Sequence, residues 1–218
     1  MARKSFSKTV NFARLSFGAF WLLLVFVMPC FSQDEETYDE PTVEEQLAIA
    51  DKDFLYDDAL INPLGIKLFL SWMSDNGPSG TTTINLEGVG RHTNQFSAKY
   101  AKDKNGWVSV GKQDEDAAKG WFSYRHLGRL ANGCHVLETQ LNEGGSGIFK
   151  NLLLVRFSIH KEYKKDGEFS KYLVLTRVGE FALGDRYNGK ITVKPSEIVI
   201  GDDKGFHHDQ AGRTISFK

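Results

Sequence analysis

Twenty of the 21 glycines lie beyond residue 58, and several stand where a chain must reverse its direction. Asn76-Gly77, Asn105-Gly106, Asn132-Gly133 and Asn188-Gly189 are Asn-Gly pairs, and Asp166-Gly167 is a fifth signal of the same kind. These residues tolerate the positive φ that two-residue hairpin turns require. A chain broken at such intervals leaves little room for long helices. It favours short strands that fold back on their neighbours.

The runs between these corners carry the matching pattern. Leu153, Val155, Phe157 and Ile159 alternate with Leu154, Arg156, Ser158 and His160, a period of two with one apolar face. Tyr172, Val174, Thr176 and Val178 alternate in the same way with Leu173, Leu175 and Arg177. Ile191 and Val193 precede Pro195, which cannot donate to a ladder and marks a break or an edge. Further runs cover 65–72, 81–87, 95–101, 107–111, 120–127 and 134–141. The expectation is an all-β body, an antiparallel sandwich or barrel of about nine strands, over residues 61–218. Residues 134–200 read as a meander of successive hairpins.

Two segments precede that body. Arg3, Lys4, Lys8 and Arg14 are followed by 17 residues without charge, Leu15 to Phe31, and then by Ser32 and a run of acids. This is the order of a secretory signal peptide over residues 1–32, with cleavage expected after Ser32. The alternative is a segment that stays uncleaved as a membrane anchor; 17 residues is the lower edge of a span. The chain is therefore expected to be exported, to a periplasm, a cell surface or the exterior. Beyond the cut only Cys134 remains, which excludes an internal disulfide and reads as a buried thiol.

Residues 33–60 form an acidic leader. Residues 34–58 hold eleven acids against Lys52 alone, whereas the rest of the chain beyond them is mildly basic. Residues 33–41 have almost nothing apolar to bury, and disorder is expected there. Thr42-Val-Glu-Glu45 fits a capping box, so one short helix is expected from about Val43 to Asp51.

Catalytic signatures are sparse. Gly88-Val-Gly90 lacks the third glycine of a dinucleotide fingerprint. In Gly144-Gly-Ser-Gly147 the residue after the last glycine is Ile148, so no nucleophile elbow is formed. No cofactor is expected. A divalent metal is the one alternative, held by the ligand-rich loop of Asp202, Asp203, His207, His208 and Asp209.

Aromatic residues near strand ends are the other chemistry-bearing feature. Trp107 follows a turn, Trp121 follows Gly120, and Tyr124 lies close by. Exposed rings on a β-scaffold can stack on sugars; buried, they are simply core. Arg156 and Arg177 lie on the less apolar face of the meander with Glu138, where they could meet across the sheet. Ligand-binding candidates are thus Trp107, Trp121, Tyr124, Arg156 and Arg177.

The function expected is recognition: a binding or structural protein of the envelope or exterior, facing a glycan or an envelope protein. Near-neutral net charge and the absence of a dense arginine or aromatic code exclude nucleic acid. A membrane is expected as a partner only through an uncleaved signal segment. Two alternatives are a β-barrel that binds a ligand in its lumen and a secreted hydrolase. The hydrolase would draw on Glu138, Glu180, Asp185 and His160.

Overall fold

The computed structural model describes residues 41–70, 81–89, 96–111, 120–163, 167–204 and 209–217. The signal segment, the first part of the acidic leader, Asn76-Gly77, His207 and His208 lie outside the described residues. All described residues belong to one compact unit, Glu40–Lys218.

The protein is mostly β. Its centre is a curled seven-strand antiparallel sheet. In chain order this sheet contains β3 (Thr83–Asn85), β4 (Tyr100–Lys102), β5 (Val108–Val110), β6 (Trp121–Arg129), β7 (His135–Asn142), β8 (Phe149–Tyr163) and β9 (Phe169–Asp185). Its spatial order is β3-β9-β8-β7-β6-β5-β4, so every neighbour from β4 to β9 is also the next strand in sequence. The turn signals predict a meander over 134–200; the observed one runs from Tyr100 to Asp185, and residues 191–200 pass into a separate sheet, so Asn188-Gly189 joins two sheets and closes no hairpin. Gly106 (φ 85°) turns β4 into β5, and Gly133 (φ 82°) turns β6 into β7.

The sheet is covered on both faces. On the first face lie α1 (Val43–Asp53), the hairpin of β1 (Leu55–Tyr56) with β2 (Ala59–Leu60), and α2 (Pro63–Lys67). Ala50, Phe54, Ile66 and Phe69 from this layer meet Tyr124, Leu137, Leu153, Val155 and Leu175 of the sheet in one buried cluster. On the second face, β10 (Ile191–Lys194), β11 (Glu197–Ile200) and β14 (Arg213–Ser216) form a three-strand antiparallel sheet. Ile198 and Ile200 pack there with Val136, Leu152, Leu154 and Leu183. The remaining pair, β12 (Asp203–Lys204) and β13 (Asp209–Gln210), is a short ribbon.

Several expectations change in the structure. Twelve strands lie among the described residues of 61–218 rather than about nine, five of them of two or three residues, and β1 and β2 add a hairpin within the leader. Two helices lie among the described residues where one was expected. The run 65–72 does not begin as a strand: Asn62 caps α2 through its side chain, which accepts from the Leu64 N–H, and Pro63 occupies the first turn. Asparagine followed by proline is a helix start. The alternation at 153–160 also understates burial. Leu152, Leu153, Leu154 and Val155 are all buried, because β8 has a core on each side of it. Finally, the helix of the leader is no free appendage. Its capping box is formed as expected, with Glu45 N–H donating to Thr42, and Ala50 is fully buried in the core of the body.

Candidate functional site

Residues paired across antiparallel strands share a face. Register therefore decides which polar side chains meet. Arg125 stands opposite Glu138, and Glu138 opposite Leu152. One step along the same face, Ser109, Ser123, Gln140 and Lys150 form a row across four strands. Trp121 stands opposite Asn142 one step further on. These residues lie on the second face of the sheet, beside the Val136, Leu152 and Leu154 cluster.

The centre of this group is Glu138, only 3% exposed. One carboxylate oxygen accepts from Arg125, and the other lies 3.6 Å from Lys150 Nζ. Burying a carboxylate is costly unless it is paired, and here two cations share it. The Arg125 guanidinium lies 4.8 Å from the centre of the Trp107 ring and Lys150 Nζ 5.9 Å from it, both within cation–π range. Arg125 Nε is buried with no hydrogen-bond partner. Below this triad, Ser123 and Ser109 share a 2.7 Å hydrogen bond between their hydroxyls.

Two of the five expected ligand residues share one part of the second face without meeting. Trp107 and Trp121 are partly exposed on the second face. They are separated by four residues of strand register, about 13 Å. Tyr124 is on the other face, 1% exposed, and its hydroxyl donates to the Ile61 carbonyl; burial pushes its pKa far up. Arg156 is exposed near the opposite end of the second face, where it donates to the Asn132 carbonyl and Cys134 Sγ. Arg177 lies on the first face and donates to the Phe69 carbonyl and to Glu180. Glu138 therefore meets Arg125, not Arg156 or Arg177.

Of the ligand-rich loop, Asp202 accepts from the Gly212 N–H, and Asp203, 6% exposed, accepts from the Asn188 N–H. Asp209 opens β13. Among the described residues no group of three metal-ligating side chains gathers. The hydrolase candidates are dispersed. Asp185 accepts from the Ile148 N–H at a strand end, Glu180 pairs with Arg177 on the first face, and exposed His160 lies near Tyr172 on the β8–β9 arm.

A second polar cluster, which the sequence reading missed, lies on the first face. His135 is fully buried; its Nδ1 is 3.2 Å from His126 Nε2, and its Nε2 is 3.1 Å from Asp51 Oδ1 at the end of α1. Arg129 donates to the other Asp51 oxygen. Phe54 stacks on His126 at 4.8 Å and 15°, and Phe157 meets His135 edge-on. Burial, with the charge of His135 second, pushes the His126 pKa down to about 4, against a hydrogen bond to the Gly128 backbone that favours its protonated form. His135 is lowered as well, burial outweighing its bond to Asp51.

Proton counting follows. The chain from Asp51 through His135 and His126 to Gly128 has three links, and two neutral rings supply two protons. The charge-assisted link to Asp51 is the strongest of the three. With the Asp51 link filled by His135 Nε2–H, the single His126 proton serves either His135 or Gly128, and the bonds of Asp51 to His135 and Arg129 latch α1 to the sheet. This arrangement leaves no free imidazole nitrogen poised for a substrate at His135.

One cavity of about 150 Å³ also opens on the first face, between Tyr56, Asn62, Leu86, Glu87, Val89 and Tyr100. Two of its polar groups are engaged within the protein: Asn62 donates to the Phe96 carbonyl and Tyr100 to the Leu60 carbonyl. This volume is below the range typical of small-molecule sites, whereas an adjoining, more open depression of about 680 Å³ that shares Ala59, Leu60 and Tyr100 lies within it.

Comparison of the chain with family models, with curated proteins and with solved structures found no match in any of the three. The protein is a β-rich antiparallel domain carrying a Trp107–Arg125–Glu138–Lys150 cluster on one sheet face. The reading of that cluster rests on its own chemistry.

Proposed function

We propose that the chain is an exported binding protein of the cell envelope or exterior, and that the Trp107 face recognises a glycan. The observation that carries this reading is the shared face of Trp107 and Trp121, two partly exposed indoles about four residues of register apart, with the partly exposed Ser109, Arg125 and Lys150 between and beside them. Indole surface stacks on the C–H faces of a sugar, while neighbouring hydroxyl and charged groups meet its hydroxyls. Residues 1–32 act as a signal peptide that delivers the protein, and the acidic leader links it to α1. The sheet works as a sandwich, with the three-strand sheet packed on the Val136, Leu152 and Leu154 part of the second face.

The test is tryptophan fluorescence of the full chain against a panel of neutral and acidic oligosaccharides. Saturable changes for one class, abolished in Trp107→Ala at unchanged thermal stability, support the reading. No response across the panel, or an undiminished response in Trp107→Ala, refutes it.

A further inference from the structure

We infer that the ligand of the Trp107 face is an acidic sugar chain whose carboxylate is received by Arg125 and Lys150. This rests on the glycan reading above and adds the charge of the ligand. Glu138 is the sole carboxylate contacting either cation among the described residues, so the triad carries a surplus of one positive charge. Glu138 itself is sealed from solvent, while the Arg125 side chain is 34% exposed and that of Lys150 is 14% exposed. The two basic side chains therefore form the more accessible part of the triad and the anion its floor.

Two further features point the same way. Trp107 lies under both cations and holds them side by side, which lowers the entropy lost when they engage an incoming group. Arg125 Nε is a buried donor with no partner, so the guanidinium has hydrogen-bonding capacity that Glu138 does not use. A planar guanidinium beside an ammonium suits a carboxylate. Ser109 and Lys150, the partly exposed ends of a row whose middle members Ser123 and Gln140 are buried, flank the place where the hydroxyls of the sugar would lie. A neutral glycan would leave the surplus charge unanswered.

Isothermal titration calorimetry of the full chain tests this with a panel of uronic-acid oligosaccharides, each paired with its methyl ester. Triglutamate serves as a non-sugar anion of similar charge. The expected result is binding of one acid at least tenfold tighter than its ester. That advantage should disappear in Lys150→Gln, return in Lys150→Arg and shrink as salt rises. An ester that binds as tightly as its acid overturns the charge inference and leaves the glycan reading standing. Triglutamate binding as tightly as the best acidic sugar overturns the assignment to sugar. If no member of either series binds, both readings fall together.

Discussion

Acidification should loosen this protein well above the pH at which carboxylates titrate, and the cause is the pair of histidines under α1. His126 has a folded pKa of about 4 against an ordinary value of 6.5. Because the folded value is depressed, its contribution is complete above pH 6.5 and is lost as pH falls toward 4: the unfolded chain takes a proton that the native state refuses. At about 1.4 kcal/mol per pH unit, going from pH 7.5 to pH 4.5 removes about 2 to 3 kcal/mol through His126 alone. His135 is shifted in the same direction and steepens the slope. Glu44 and Glu45 are lowered from 4.5, Glu44 by its bond to Lys171 and Glu45 by its bonds to Thr42, so their loss falls below this window. Urea unfolding at half-unit pH steps, followed by far-ultraviolet circular dichroism, measures the slope. His126→Phe keeps a ring stacked on Phe54 and removes one titrating group; its slope between pH 6.5 and 4.5 should correspond to about one proton fewer. A flat wild-type profile over that window, or an unchanged slope in His126→Phe, refutes the argument.

Gly120→Ala should be among the most damaging small substitutions. Its φ is 79°, and an added Cβ would lie 2.5 Å from the Asn142 carbonyl oxygen, a backbone atom that cannot swing away. A loss of more than about 2 kcal/mol is expected in chemical denaturation. Leu153→Ala removes a fully buried side chain from the middle of the first core, and should cost about 2 to 5 kcal/mol in the same assay. Thr42→Ala removes the capping box of α1 and should cost about 1 kcal/mol, seen as a small drop in melting temperature. Cys134 is 1% exposed and should resist alkylation in the folded protein, as peptide mass spectrometry would show, and react once urea unfolds the chain.

Much of the sheet was legible because its order follows the chain. Asn105-Gly106 and Asn132-Gly133 mark two of its corners, and a meander needs no long-range choice of partner once its turns are placed. Thr42 and Glu45 announced α1 for the same reason: a cap is local chemistry. What escaped depended on contacts between distant segments or on one residue of register. Asp51 and His135 are 84 positions apart, and nothing local joins them. The pairing at Glu138 was hidden by a bulge. Counted from the Asn132-Gly133 turn, where Arg129 pairs with His135, regular register would set His126 opposite Glu138. The extra residue Leu127 between His126 and Gly128 shifts the ladder, so Arg125 faces Glu138 and His126 turns to the other side. One inserted residue thus sends the histidine to the latch and the arginine to the candidate site. Two-sided burial of β8 was hidden likewise, since the second core comes from strands about 40 residues further on.

The account stands or falls on where a ligand meets the sheet. Backbone amide NMR of the labelled protein, titrated with the tightest acidic oligosaccharide, reads this directly. Shifts should concentrate at Trp107, Ser109, Ser123, Arg125, Gln140 and Lys150, with the Trp107 indole N–H among the largest. Shifts that gather instead around Tyr56, Asn62 and Tyr100 on the opposite face, or that spread without a focus, would contradict it.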